Sequence, residues 1–427
     1  MCGKYRPNLS GSRAATLVQD MYGMSVSVVQ ELTSYDDQNF LVEEILSSSL
    51  PVGVKFAGSG RYVLKILNTL DSMKPQVTAT QTEVILHAKS AGIPTPGLIP
   101  TVDGRYQFLL RLPKTGSEDA EMEQYVVRLF AFMPDRTLDQ VILTRQMCYE
   151  VGWLAGKLDA VLQEFPNEEN SVAASMTREW NMSQIPKLRG KLHVVRCPEQ
   201  QRVIQEIIDK FEIAVLSAQH KFSKGLIHSD FNECNILVSQ DSGSAAVTAT
   251  GVSSESQNTA SVENNHSSVN KHNLTLHSMR KSVAEKLKCT QLTSDCDHSF
   301  DAKPWHVSGI IDFGDTTLSL YIFEVAIAIV YIMLNKHGIP AMEAASFLLS
   351  GYLQHIHLTG LEISHLKMCV CARLAQSLVL GYYAATKDPE NLYTLTHATR
   401  AWPVLKHLWD MPDELVLTQL MEHVINN

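Results

Sequence analysis

Gly225-Leu-Ile-His-Ser-Asp-Phe-Asn-Glu-Cys-Asn-Ile-Leu-Val238, completed by Gly309-Ile-Ile-Asp-Phe-Gly-Asp315, decides how the rest of this chain is read. In the first piece an apolar Leu226-Ile227 leads into His228 and Asp230. Asn235 stands five residues after the aspartate, and Ile236-Leu237-Val238 follows at once. This is a polar loop between two short apolar segments, the pattern of strand, loop, strand. In the second piece Ile310-Ile311 delivers Asp312 in the same way. Groups able to hold a proton or a metal ion are thus presented at strand ends. Asp and Asn also form Asx turns at such ends, but both pieces in this order argue for chemistry over turn formation.

The spacing fits phosphoryl transfer, in which a loop Asp accepts the proton of an attacking hydroxyl while an Asn and a second Asp hold magnesium on a nucleotide. Asp230 takes the first role, Asn235 and Asp312 the others. The chain contains no Gly-x-Gly-x-x-Gly and no Walker lysine loop, so neither a protein-kinase glycine loop nor a P-loop is supported. A phosphate cover, if there is one, falls on Ser34-Tyr-Asp-Asp-Gln-Asn39, although Asp36-Asp37 also fits a solvated turn.

Length and composition narrow the class. The 427 residues are 45% hydrophobic, enough for real cores. A formal net charge of −9 gives little electrostatic support to a nucleic-acid or anionic-membrane partner. The eight cysteines are scattered and suggest no disulfide framework, which points to a reducing cytoplasm. Cys369-Val-Cys371 lacks a matching pair at zinc spacing and reads as core packing. Residues 1–19 lack acids and carry Lys4, Arg6 and Arg13, as mitochondrial transit peptides do; an unstructured leader over 1–25 is the plainer reading. The longest apolar run, residues 325–334, is too short to span a bilayer and predicts a core helix.

Residues 26–133 read as a small mixed domain. Phe40-Leu-Val42 and Tyr62-Val-Leu-Lys-Ile-Leu67 are strand-like, with Gly58-Ser-Gly60 as a turn signal between them. Lys65 lies inside the second strand, where kinase-type enzymes place the phosphate-contacting lysine, paired to a helix glutamate. The following helical pattern over 76–91 offers Glu83 as that partner, although an ordinary exposed helix glutamate reads the same way. Strands over 106–112 and 125–132 end at Met133-Pro134-Asp135, the position of a hinge. Backbone groups of Phe130, Ala131, Phe132 and Met133 there could hold a purine edge.

From residue 134 the chain turns helical. Met147, Val151, Leu154, Leu158, Val161 and Phe165 recur at helical spacing, as do Val203, Ile204, Ile207, Ile208, Phe211 and Val215. Residues 134–238 form the first part of this larger domain and 306–427 the second. Between them, 239–305 is rich in Ser, Thr, Asn and Gln, and from Ser239 to Ser299 it has no Phe, Tyr or Trp. Such a stretch buries too little apolar surface to offset its chain entropy, which predicts a disordered insertion. Glu324 opens the apolar helix and either braces the catalytic loop or answers the helix dipole. Arg373 and Gln376 share a helix face as candidate substrate contacts, with a surface pair as the plainer alternative. Trp180, in Arg178-Glu-Trp-Asn181, either reaches a substrate cleft or is buried.

At His228-Ser-Asp-Phe-Asn-Glu-Cys-Asn235 and Ile311-Asp-Phe-Gly-Asp315 the chain resembles the aminoglycoside phosphotransferase and choline kinase superfamily. Ser34-Tyr-Asp-Asp-Gln-Asn-Phe40, Tyr62-Val-Leu-Lys-Ile66, Val127-Arg-Leu129, Glu179-Trp-Asn181, Phe323-Glu-Val-Ala326 and Gln376-Ser-Leu-Val379 look like the hydroxylysine kinase family within it. The resemblance implies an α+β, two-lobed protein-kinase-like fold, with a mainly-β N-lobe carrying one helix and a mainly-α C-lobe. It also implies transfer of the γ-phosphate of GTP to 5-hydroxy-L-lysine, in lysine breakdown, with Mg2+. It carries Asp230 over as base, Asn235 and Asp312 as magnesium ligands and Lys65 as phosphate contact, with His228 orienting the loop instead of titrating. Two departures stand out: Ser229 replaces the superfamily's usual glycine, and the insertion before Asp312 is unusually long.

Two other functions remain compatible with the residues. One is a kinase of another small amino alcohol, such as choline, homoserine or an aminoglycoside-like compound, using ATP or GTP. The other is a silent pseudokinase acting as a binding module, against which the complete set Lys65, Asp230, Asn235 and Asp312 argues.

Overall fold

The computed structural model describes residues 6–34, 36–45, 60–113, 121–166, 178–240, 303–335, 338–387 and 398–425. The bulk of the expected insertion, 241–302, lies outside them, as does part of the turn signal at Gly58-Ser-Gly60.

The first element corrects an expectation. Residues 1–25 read as a flexible leader, yet Gly11–Tyr22 forms helix α1, capped by Ser10, whose hydroxyl accepts the Arg13 N–H. Ala14, Val18 and Tyr22, spaced by four, are buried against the sheet that follows. That spacing is a helix signal in its own right, set within a basic, acid-poor stretch. Gly23, at φ 71, ends the helix in the left-handed conformation that glycine adopts freely.

The N-lobe sheet contains β1 (Val26–Leu32), β2 (Gln38–Glu44), β3 (Arg61–Ile66), β4 (Leu98–Ile99), β5 (Phe108–Pro113) and β6 (Met122–Ala131). Its order is β1-β2-β3-β6-β4 with β5 beside β6, all antiparallel. The register sets Asn39 opposite Lys65 and Lys65 opposite Arg128, so three polar side chains cross one face in a row. A short α2 (Thr69–Ser72) and then α3 (Pro75–Ser90) follow β3. Proline at its first turn starts α3, and Val77, Val84, Ile85 and Ala88 are buried.

After β6 the chain passes through Phe132-Met133 into β7 (Arg136–Thr137), which already pairs with Leu237 and Val238 of the second lobe. That lobe is mostly helical: α4 (Arg145–Leu162), α5 (Pro198–Phe211), then α6 (Tyr321–Leu334), α7 (Ala341–Tyr352), α8 (Gly360–Lys387), α9 (Ala398–Asp410) and α10 (Asp413–Ile425). Every residue of α6 is buried, as expected of a helix apolar on all sides. Cys369 and Cys371 are buried in α8 as core residues.

Two small antiparallel sheets bring the halves of the site together. β8 (Lys224–Ile227) pairs with β11 (Thr317–Leu320), and β9 (Ile236–Ser239) pairs with β10 (His306–Ile310). The loop between β8 and β9 therefore faces the loop between β10 and β11, and the Ile311 N–H donates to the Asn235 carbonyl at 2.9 Å. Gly225 is required by close approach: a Cβ there would stand 1.9 Å from the Tyr321 hydroxyl of α6. A sheet-based lobe followed by a helical lobe is the α+β arrangement expected.

Candidate active site

Asp230, Asn235 and Asp312 meet at the cleft between the lobes. The Asn235 amide nitrogen donates to Asp230 Oδ2 at 2.8 Å and to the Asp230 carbonyl at 3.0 Å. That commits the nitrogen and leaves the amide oxygen as the group able to ligand a cation. Lys65 Nζ reaches across from the other lobe to Asp312 Oδ1 at 2.8 Å. Loss of hydration pushes the Asp312 carboxyl up, but Lys65 more than reverses this and holds it below the usual carboxylate range. Burial likewise works against the Lys65 ammonium, and Asp312 and Asp37 overcome it, so its pKa lies above the ordinary lysine value. Both groups are charged at neutral pH.

His228 is fully buried and positions the loop. One ring nitrogen, Nε2, lies 3.1 Å from the Ile311 carbonyl, which can only accept, so Nε2 carries the proton. Nδ1 then accepts the Asp230 N–H at 3.3 Å. Burial lowers the ring's pKa to about 4, leaving a neutral histidine with both nitrogens engaged. Below the loop, Glu324 in the first turn of α6 accepts the backbone N–H groups of His228 at 3.1 Å and Ser229 at 2.7 Å. Of its two sequence readings, the brace is the one the geometry forms. Burial pushes its carboxyl up to about 8.

Ser229 and Asp312 have positive φ, 67° and 63°, in a region that costs most side chains roughly 1–2 kcal/mol. This explains why a glycine suits position 229 and why a small serine can stand in for it. Ser229→Gly is expected to stabilise the fold by about 0.5–1 kcal/mol, the relieved strain exceeding glycine's added chain entropy. A denaturant midpoint that rises at unchanged slope is the measurement.

The Lys65–Glu83 pair expected from the sequence does not form. Glu83 is exposed on α3, and Lys65 spans Asp312 and Asp37, the latter at 3.3 Å. The helix instead turns Gln81 to the cleft, where it donates to the Gly314 carbonyl at 2.7 Å. The hinge is also narrower than expected, since the Ala131 N–H donates to Gly97 and the Phe132 N–H to Arg61 inside the N-lobe.

Arg373 and Gln376 are not a surface pair: both are buried. Arg373 donates to the Trp180 carbonyl at 2.8 Å and the Tyr331 hydroxyl at 3.0 Å, lies 5.0 Å over the Trp180 ring, and brings Nη2 to 3.8 Å from Asp230 Oδ1. Gln376 donates to the carbonyls of Glu179 and Asn181. The two residues clamp the half-buried Trp180 segment beside Asp230, so most of their polar atoms serve the chain itself. Their spacing on one helix face gave no sign of this, because the partners come from residues 179–181, far off in sequence.

Arg128 carries no role in the sequence reading, and Arg178 only the cleft role of the Arg178-Glu-Trp-Asn181 stretch. Arg128 is buried on β6 beside Lys65; an arginine inside the apolar Val127–Leu129 stretch was the available signal. Arg178 joins Asp71 of the N-lobe at 2.8 Å to Asp315 of the C-lobe at 3.2 Å. Among the described residues no three His, Cys, Asp or Glu side chains cluster as a metal cage. The site fits magnesium all the same, because that ion is ordinarily held by one or two protein groups together with substrate phosphates.

A sheet lobe, a helical lobe and an Asp/Asn/Asp/Lys set in the cleft define a kinase-like phosphotransferase. The family model for the phosphotransferase enzyme family matches residues 35–247. Hydroxylysine kinase of Bos taurus is 29% identical over 95% of this chain and 91% of its own length. That of Mus musculus is 28% identical over 96% and 92%. Among solved structures, amicoumacin kinase in complex with AMP-PNP, Ca2+ and Ami aligns with a TM-score of 0.59 at 13% identity, covering 95% of this chain and 97% of that one. A microcompartment-associated aminopropanol kinase aligns at 0.56 and 15% identity, covering 92% and 98%. At such identities these structures speak for the fold. The chain belongs to the phosphotransferase enzyme family. It is a small-molecule kinase, transferring phosphate to a hydroxyl.

Proposed function

We propose that this kinase transfers the γ-phosphate of GTP to the hydroxyl of 5-hydroxy-L-lysine, a step of lysine breakdown in the cytoplasm. The observation that carries the substrate is the match to hydroxylysine kinases along nearly the whole chain, 95% in the bovine case. The donor follows from the resemblance of the site segments to that family.

In this reading the acceptor hydroxyl lies against Asp230, which takes its proton as the new phosphorus–oxygen bond forms and the bond from the γ-phosphorus to the bridging oxygen breaks, releasing GDP. Arg373, 3.8 Å from Oδ1, holds the Asp230 carboxylate from one side, and Asn235 fixes Oδ2 from the other. Lys65 binds phosphate oxygens of the donor. Asn235 and Asp312 would hold magnesium, which when bound neutralises charge on the phosphates. With the Ala131 and Phe132 donors engaged, the purine edge is read by Met133 and by hinge carbonyls.

Asp230 is tuned for this role. Burial and then Asp315 raise its pKa to about 6, with Arg373 opposing. It is therefore mostly ionised at neutral pH yet basic enough to accept a proton. Because the ionised form is the active one, kcat/KM is expected to fall about tenfold per pH unit below pH 6, where protonation removes the base. A pH–rate profile flat down to pH 5 would contradict the assignment.

A panel of acceptors, comprising 5-hydroxy-L-lysine, choline, homoserine and an aminoglycoside, each with magnesium and either GTP or ATP, tests the substrate and donor. Preferred turnover of 5-hydroxy-L-lysine with GTP is the expected result. Preference for another acceptor keeps the chemistry and overturns the substrate.

A further inference from the structure

A strand lysine in a phosphate site needs a carboxylate to hold its ammonium, and α3 supplies none here: it offers Gln81 to the cleft and leaves Glu83 in solvent. We propose that Asp37, on the turn entering β2, is the positioning residue that holds Lys65 toward the donor phosphates. The proposal rests on the phosphotransferase reading of the site and adds a residue to it.

The geometry divides the work of Asp37 between its two oxygens. Oδ2 lies 3.3 Å from Lys65 Nζ, with side-chain exposures of 14% and 12%, so this is no solvated turn. Oδ1 accepts the Asn68 N–H at 2.9 Å and the Asn68 side-chain amide at 3.1 Å. The Asp37 carbonyl accepts the Ser34 hydroxyl at 2.6 Å. Asp37 is thus fixed by its own surroundings before it meets Lys65, which is what a positioning group requires.

Charge supplies the second argument. Arg128 stands opposite Lys65 on β6 and is buried, with its guanidinium 5.5 Å from the Phe130 ring centroid. Like charges at opposed strand positions repel, so the two cations stay side by side because Asp37 and Asp312 balance them. The four charges sum to zero. Once Asp312 is engaged by a bound metal–nucleotide, Asp37 is the carboxylate left on Lys65, and the row Lys65–Arg128–Asp37 carries one net positive charge facing the phosphates. Asp37 then keeps the ammonium from swinging away, and Arg128 keeps it pressed toward the cleft.

Asp37→Asn keeps the turn intact, because the asparagine retains Oδ1 and both bonds from Asn68 and alters the atom facing Lys65. With the full chain, magnesium, and GTP or ATP as donor, kcat is expected to fall about 10- to 100-fold. KM for the hydroxyl acceptor should stay put, and the variant should stay folded at the assay temperature, with an unfolding midpoint lowered by the loss of one of the two carboxylates that balance Lys65 and Arg128. In a Lys65→Met background the same change should cost nothing further, since Asp37 acts through Lys65. Turnover within twofold of wild type in Asp37→Asn, or an equal loss in the Lys65→Met background, would overturn the assignment. Calorimetric binding of a non-hydrolysable GTP or ATP analogue with magnesium distinguishes the two levels. No binding by the wild-type chain overturns the phosphotransferase reading and this proposal with it. Binding by wild type together with undiminished turnover in Asp37→Asn overturns the proposal alone.

Discussion

Asp230→Asn is expected to lower kcat about 10²- to 10⁴-fold, the range of a lost general base, without lowering stability. The asparagine has the same shape, and its carbonyl can still accept the Asn235 amide that now bonds Oδ2 at 2.8 Å. Burial and the Asp315 charge already disfavour the ionised aspartate, which is why its pKa stands near 6, so a neutral side chain relieves a cost of the fold. Asn235, Asp312 and Lys65 are untouched, and nucleotide affinity should survive while turnover does not. Steady-state kinetics beside a denaturation curve check both halves. Turnover close to wild type would remove Asp230 from the role of base.

Asp312→Asn should be as severe for a different reason. Asparagine is among the few side chains that tolerate the left-handed backbone at φ 63, and its oxygen can keep the bond from the Gly314 N–H at 3.2 Å. The charge is lost, and with it the ion pair to Lys65 and the anionic ligand for magnesium. A bound magnesium ion supplies several kcal/mol of transition-state stabilisation, so weakening its hold would cost about 10²- to 10⁴-fold in rate. Turnover measured against rising magnesium should show the loss together with a weaker response to the ion. A variant whose nucleotide affinity remains as magnesium-dependent as that of wild type would exclude Asp312 as a ligand.

Much of this site was legible in the sequence because its chemistry is packed into two short stretches. Asp230 and Asn235 lie five residues apart on one loop, and apolar runs on both sides mark the strands that carry them. Glu83 shows where such reading ends. The helix was recognised, but whether residue 81 or 83 faces the cleft depends on how α3 rolls against its lobe, and Gln81 is the one turned inward. The second carboxylate that meets Lys65, Asp37 beside Asp312, comes from a turn ahead of β2, a pairing with no periodicity to betray it. Arg373 and Gln376 likewise depend on packing between α8 and residues 179–181. The N-terminal helix carried a readable signal in Ala14, Val18 and Tyr22, outweighed by composition.

The most direct test of the central claim compares 5-hydroxy-L-lysine with L-lysine, which differ by the hydroxyl alone, using the wild-type chain and magnesium–GTP. A phosphorylated product, with GDP formed in equal amount, is expected from 5-hydroxy-L-lysine and none from L-lysine. Absence of phosphate transfer to 5-hydroxy-L-lysine, or equal GDP release with both compounds, would contradict it.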